Sequence, residues 1–526
     1  MKTKLKKNLP TILFFFLIIF YFEYSVTILW DSAHYMNYVN IIEGITPSNT
    51  WDVVRGPVFP IIIFLGNTLF GKTAQGLTMN TFIYYLIMLL FVYKILDYVL
   101  NNLKIDTKKK RLIKTIVLLT TIINPIIFGF YHSLLTEFVA ITISTISCYL
   151  AVLWYDTDYE KEKKKYIYIS IIFAFLTVFT WFLKQPYVSC GFFPLLVSYI
   201  ITLFQKKKFK IFLIRTSTII LCLITLVVSI KLWNVVLIKM GNDPSTSRNP
   251  TVSLGTTLIN GLGFAKINTN EETKNTDYIN ESKLSNKEKK EVLNLLQDNK
   301  NYIIIDIYKN NKITQSDYIE VKDNNLSTVD SMTYIIKYFF KSPLIIIDSY
   351  ITNYLSIIDI YSTTTNDSIE YKSDKKVNLK FINEIGGIAY KPYHYGSSNI
   401  FYMLPDMESR VDCYKQTNNT FKPLNYMMLI LGKVFLMIFK LLFVILPITL
   451  TLAIIFRCKK KSKLNQKRCL NLAIILLGFS FLHIMLHTVT GAIIDRYAIP
   501  ALITNILGTI LLFICLINYR KTSKKS

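Results

Sequence analysis

Hydrophobic runs of membrane-spanning length, recurring about ten times between short basic segments, predict a polytopic α-helical membrane protein. Two global measures agree. Of the 526 residues 52% are hydrophobic, and the mean hydropathy is +0.37, too apolar for an ordinary soluble chain of this size. The net charge of +26 does not indicate nucleic acid, because the lysines and arginines gather between apolar stretches, as topology signals do. The seven cysteines are scattered without a Cys-x-x-Cys, and only Cys413 lies well inside a long polar segment, which argues against a disulfide framework or a cysteine metal site.

The first run, Leu9 to Leu29, has roughly 20 residues, enough to cross ~30 Å of hydrocarbon. No small-residue cleavage site follows it, and Trp30 reads as an interfacial anchor rather than the end of a signal peptide. The basic start, Lys2 to Lys7, then stays in the cytoplasm and Asp31 faces outward. Next comes a mixed loop, residues 31–73, with an Arg55-Gly56-Pro57 turn and a short apolar helix closed by Gly71. Further spans are expected at Ala74 to Leu100, Leu112 to Phe130, Phe138 to Trp154 and Tyr166 to Leu183, then from Pro186 to Lys206 and from Ile211 to Val236. An eighth lies within Leu424 to Phe456, a ninth covers Leu470 to Leu486, and a tenth covers Ile499 to Ile517. With this order every dense basic run falls inside, at residues 108–111, 161–165, 206–208, 457–468 and 520–525. Both termini are therefore expected in the cytoplasm of a bacterial-type plasma membrane.

Three domains follow: an N-terminal transmembrane module over 1–241, an extracytoplasmic mixed α/β domain over 242–422, and C-terminal transmembrane helices over 423–526. The middle domain is rich in Asn, Lys, Asp, Ser and Thr. Within it, Asn286 to Leu296 predicts a charged helix and Tyr302 to Tyr308 a strand. Residues 330–361 predict an amphipathic helix interrupted at Ser342-Pro343 and lying flat on the outer surface, with a re-entrant pair as the alternative.

The expected outer layer contains few ionisable groups. Its acids are Asp31, Asp52, Glu137 and Asp495; its bases are Arg55, Lys72, Lys184 and Arg496; and His34, His132 and His487 accompany them. If the spans bundle around one cavity, the cations suit an anionic head group and an acid suits proton removal from an acceptor hydroxyl. Each residue also has a simpler role. Asp31 and Glu137 fit helix caps, Arg55 and Lys184 fit head-group snorkelling, and His483 fits a packed, hydrogen-bonded core position. The histidines lack short ligand spacing, so a zinc site is not expected.

The series Asp31, Tyr35, Glu43-Gly44, Arg55-Gly56-Pro57-Val58-Phe59-Pro60 and Leu69-Phe70-Gly71 resembles the first outer loop of polytopic GT-C glycosyltransferases. These are the protein mannosyltransferase and aminoarabinose transferase type, which use polyprenyl-phosphate sugars. Ser133-Leu134-Leu135-Thr136-Glu137 resembles the acidic start of that family's fourth span, and Asp495-Arg496-Tyr497-Ala498-Ile499-Pro500 its late Arg-Tyr-x-x-Pro turn. The likeness covers residues 9–205 and, loosely, the last two spans.

The resemblance implies a GT-C-like bundle and an inverting transfer from a polyprenyl-phosphate-linked sugar to an acceptor glycan, lipid or protein, with membrane lipids as surroundings. It implies Asp31 as general base, and Arg55, Lys184 and Arg496 as holders of the donor phosphate. His34, Tyr35, His132, His487, Asp495 and Tyr497 are candidates to line the substrate cavity. Ser32 stands where many members carry a second acid, which makes Glu137 the expected catalytic partner. No cofactor is required by this reading; a divalent metal is compatible with it. Two other classes remain: a polysaccharide polymerase or ligase, for which Arg-rich outer loops are expected, and a lipid-linked glycan transporter or flippase, for which mid-membrane charges on broken helices are expected.

Overall fold

The computed structural model describes residues 17–19, 21, 22, 26, 32–103, 105–204, 209–242, 255, 257–259, 261, 265–268, 276–309, 312–321, 326–358, 422–458, 464–490 and 495–523. Most of the first expected span lies outside these residues, and so does Asp31. The described chain is mostly helical. Seven helices are long and apolar enough to cross a membrane, or up to nine if each of two bent pairs forms one span.

The chain divides into two compact units, the first comprising residues 1–242, 364–483 and 496–526. Within it, α1 (Ser32–Ile42) leads through a turn at Ser48–Thr50 to α2 (Val58–Phe70). Gly71 closes α2 at φ 85°, a left-handed conformation that costs glycine little. Then follow α3 (Ala74–Asn102), α4 (Thr107–Ile122), α5 (Pro125–Tyr131), α6 (Glu137–Asp156), α7 (Lys163–Leu183), α8 (Val188–Leu203) and α9 (Phe209–Lys239). Short polar side chains set several of the starts: Thr73 accepts from Gly76 N at the head of α3, and Asp106 from Lys108 N at the head of α4.

Two expected spans are broken. Residues 112–130 were expected to form one helix, but α4 and α5 meet at a 58° bend. The cause is Asn124-Pro125: proline disfavours helix at the residue before it and supplies no N–H, while the Asn124 side chain caps the new helix at Ile126 N. The C-terminal part begins with α14 (Lys422–Val444) and α15 (Leu446–Cys458), which meet at a 53° bend where Pro447, in the first turn of α15, has no N–H to continue the bonding of α14. Last come α16 (Leu464–Val489) and α17 (Leu502–Ser523), joined through a short 3-10 turn at Asp495–Ala501.

The second unit comprises residues 243–363 and 484–495, so it includes the last turn of α16. Three antiparallel strands, β1 (Ala265–Asn268), β2 (Asn301–Lys309) and β3 (Lys312–Val321), pair in the order β1-β2-β3, with Ala265 opposite Ile307 and Asn301 opposite Val321. Alternation along the strands divides the apolar residues between two faces. Ile303, Ile305, Ile319 and Val321 pack with Tyr334 and Tyr338 of α12 (Thr328–Lys341) and with Ile346 of α13 (Pro343–Ile357). On the opposite face Tyr302 and Ile304 pack with Ile279 of α10 (Thr276–Glu281), with Leu284, and with Val292 of α11 (Asn286–Gln297). Helix α11 begins with a capping box in which Ser285 and Glu288 bond each other's backbone N–H. The expected charged helix and strand correspond to α11 and β2, and the amphipathic segment breaks at Ser342 as the proline requires; β1 and β3 were not foreseen. Residues 359–421, which complete the expected middle domain, lie outside the described residues.

One close approach fixes the first loop in the first unit. A Cβ on Gly56 would stand 2.0 Å from the carbonyl oxygen of Phe182, near the end of α7, so only glycine lets the two backbones meet. Gly56→Ala should therefore lower the thermal unfolding temperature of the detergent-solubilised protein, at a cost of about 1–3 kcal/mol from overpacking. An unchanged unfolding temperature would show that the loop does not dock there.

Candidate functional site

Glu137 opens α6 and has no solvent exposure. Its neighbours come from distant parts of the first unit. Tyr187, in the turn Gln185–Tyr187 that links α7 to α8, donates its hydroxyl to Glu137 Oε1 at 2.7 Å. Arg496, in the turn before α17, places Nε 3.5 Å from the same oxygen, and the adjacent Thr136 hydroxyl lies 3.4 Å from Oε2. Removing a carboxylate from water costs several kcal/mol unless opposite charge and hydrogen bonds replace its hydration. Tyr187 and Arg496 supply that replacement.

Lys184 joins the group because the chain cannot continue α7 through Pro186. It leaves the helix in an extended conformation, φ −167° and ψ 128°, and brings its ammonium 4.6 Å from the Tyr497 ring centre and 5.9 Å from that of Tyr187. The Arg496 guanidinium lies 5.7 Å from the same Tyr497 ring, so two cations attend one aromatic residue. Burial of Lys184 favours its neutral form, but Tyr497 and Glu137 together outweigh burial and the repulsion of Arg496, and its pKa is raised above the ordinary lysine value. Lys184 is therefore charged at neutral pH.

The turn carrying Arg496 and Tyr497 is held at two points. Ser144 on α6 donates to the carbonyl of Pro500 at 2.8 Å, and His483 Nε2 lies 2.7 Å from the carbonyl of Tyr497. A carbonyl only accepts, so Nε2 carries the proton. His483 Nδ1 lies 2.6 Å from the Ser189 hydroxyl. His483 is thus the packed, bonded core residue the sequence suggested, with the added task of fixing the Tyr497 backbone.

The first loop adjoins this group. Arg55 donates from Nη1 to the Tyr35 hydroxyl at 3.0 Å, with its guanidinium 5.3 Å from the Tyr35 ring centre, and Trp51 Nε1 donates to the Arg55 carbonyl at 2.9 Å. Tyr35 is buried against Phe59, Phe59 meets Phe138 beside Glu137, and Tyr35 lies within electrostatic reach of Lys184. Ser32 donates to the carbonyl of Leu134 at 2.7 Å, which ties the start of α1 to the segment leading into Glu137.

Of the residues singled out from sequence, Glu137, Lys184, Arg496 and Tyr497 stand together, and Tyr35 with Arg55 beside them. Asp31 lies outside the described residues. His132 is elsewhere: its ring bonds the carbonyls of Phe128 and Tyr21, and burial pushes its pKa down to about 4. It is a packing residue rather than a cavity residue. His34 is exposed on α1, and His487 is buried one turn beyond His483, in the part of α16 that belongs to the second unit. Asp495 begins the 3-10 turn, but its side chain is outside the description. Lys72 is paired at the surface with Glu43, and Asp52 accepts from Val54 N at 3.0 Å in a local turn. The expectation of Glu137 as a second catalytic acid meets a carboxylate enclosed by Tyr187 and Arg496, an arrangement suited to orienting those two groups. Sequence reading missed Tyr187, Ser189 and the anchoring role of His483. The available signal was Pro186, which places Tyr187 in the same turn as Lys184.

Among the described residues no three His, Cys, Asp or Glu side chains gather as a metal site. The chain matches no family model, no curated protein and no solved structure.

Removing one member of a buried ion pair typically costs roughly 3–5 kcal/mol, because the partner remains charged and unmatched. Glu137→Ala should therefore destabilise the protein on that scale in thermal or denaturant unfolding. The double variant Glu137→Ala/Arg496→Ala should be less impaired than the sum of the two single changes. Strict additivity would mean that the two charges do not depend on each other.

Proposed function

We propose that this chain is an integral membrane glycosyltransferase of GT-C type, which moves a sugar from a polyprenyl-phosphate donor to an acceptor glycan, lipid or protein on the extracytoplasmic side. The observation that carries the reading is the placement of Lys184 and Arg496 around Tyr497, with Glu137 orienting the guanidinium. Two adjacent cations, one planar and one compact, suit a phosphate held at a fixed angle. They also suit a leaving group on which negative charge grows, since donors fixed in advance need no reorganisation as the bond breaks.

In this reading about ten transmembrane helices form a lipid-open bundle with both termini in the cytoplasm. The polar segment after α9 stands outside and selects the acceptor. Asp31 accepts the proton of the acceptor hydroxyl, and the oxygen attacks the anomeric carbon. The bond from that carbon to the phosphate oxygen breaks, the electron pair leaves with the phosphate, and the anomeric centre inverts. Ser32, next to Asp31 in the chain, is fixed to the Leu134 carbonyl. Arg55, fixed through Tyr35 and Trp51, is the third cation of the donor side. Charges gathered at helix ends favour this reading over a transporter, which would need them on broken helices at mid-membrane.

The reading is tested by transfer from a polyprenyl-phosphate sugar in membranes carrying wild type or Asp31→Asn. A general base contributes at least about 100-fold, so transfer by Asp31→Asn should fall by that much or more. Undiminished transfer would remove Asp31 from the mechanism.

A further inference from the structure

Helices α12 and α13 have more apolar surface than the sheet of the second unit covers. On α12 the buried side chains Ser331, Tyr334 and Tyr338 face the core, yet Val329, Met332, Ile336, Phe339 and Phe340 are exposed. At about 100° per residue these five fall within an arc of roughly 100°, on a side of the helix distinct from the core-facing one. Asp330, Lys337 and Lys341 form a polar edge between the two faces. Helix α13 repeats the pattern: Ile346, Ser349 and Asn353 are buried, while Leu344, Ile347 and Ile351 are exposed in one stripe at spacings of three and four. The most exposed of these side chains, Phe340 at 80% and Leu344 at 78%, flank the bend at Ser342-Pro343.

We infer that this double apolar face is a membrane-docking surface, whose occupant is the head-group and upper acyl region of the bilayer that the chain itself crosses. Helix α13 is fixed to the end of a long apolar helix. Asn353 donates to the carbonyl of Thr488 at 3.1 Å and to that of Gly261 at 2.9 Å. Thr488 is in the last turn of Asn465–Val489, a helix long and apolar enough to cross a membrane. A helix bonded to the end of such a span sits at the level where that span leaves the hydrocarbon, and a stripe of large apolar side chains at that level meets lipid. Neither helix spans alone: α12 has 14 residues and α13 has 15, about 21–23 Å at 1.5 Å per residue, short of ~30 Å of hydrocarbon, and the two together are not among the bent pairs apolar enough to form one span. A helix with one apolar stripe bordered by charge lies along the interface, with Lys337 placed to meet lipid phosphate. Docking in this way would hold the three-stranded sheet against the bilayer, whatever reaction the first unit performs.

The test uses the full chain in phosphatidylcholine/phosphatidylglycerol nanodiscs, with Cys413→Ser and Cys458→Ser to limit background labelling. Nitroxides are placed singly through Ile336→Cys, Phe340→Cys, Leu344→Cys and, as control, Lys290→Cys on α11. Collision with oxygen and with a water-soluble nickel chelate is read by power saturation. Docking predicts an oxygen-to-nickel ratio several-fold higher at the first three positions than at Lys290. High nickel accessibility at those three would mean that the face is in water. Low accessibility to both quenchers would mean that protein covers it, from another segment or a second copy. Either result would overturn the inference.

Discussion

A carboxylate without solvent exposure among apolar helices needs fixed partners in place of its water. For Glu137 those partners are the Tyr187 hydroxyl and the Arg496 guanidinium, and they arrive from turns before α8 and α17. The three segments cannot move apart without leaving a charge unmatched in a low-dielectric setting. Lys184 adds a second cation, and the shared ring of Tyr497 keeps the two positive side chains near each other despite their repulsion. His483 and Ser144 then fix the backbone that carries Arg496 and Tyr497.

The geometry also explains why the site is built from turns. Pro186 ends α7 and turns Lys184 out of the helical path; Gly56 lets the Arg55 turn rest on the Phe182 backbone. Helix interiors present side chains at fixed spacings on one cylinder, whereas turns between helices can direct a lysine, an arginine and a tyrosine at a common point. The apolar helices supply rigidity, and the turns supply the chemistry. The sheet of the second unit has both faces buried, and its surplus apolar surface is carried by α12 and α13.

How much of this was legible in the sequence varies with the physics involved. Hydrophobic length and basic flanks identified most of the long helices, because burial in lipid is a property of composition over some twenty residues. The bends at Asn124-Pro125 and before Pro447 were hidden inside apolar runs that read as single spans, although proline and its preceding residue carried the signal. Isolated charges near helix ends pointed to Glu137, Lys184 and Arg496, although capping or snorkelling would have placed a charge at such an end as well. Tyr187 carries no charge and falls in none of the quoted motifs, and His483 looked like core because its task is to hold a backbone. His132 shows the opposite error: a histidine in the right sequence layer proved to be packed between Tyr21 and Phe128. Pairing of β1 and β3 with β2 depends on contacts distant in the chain, which local patterning does not encode.

The proposed seat of a lipid-linked phosphate is the pair Lys184 and Arg496, oriented by Glu137. Its most direct test is equilibrium binding of a short-chain polyprenyl phosphate to the purified protein, comparing wild type with Lys184→Ala and Arg496→Lys, each shown to be folded by its unfolding transition. The account predicts that both substitutions weaken binding at least about tenfold, a loss of ~1.4 kcal/mol, with Arg496→Lys failing to substitute because it lacks the planar fork. Wild-type affinity in both variants would contradict it.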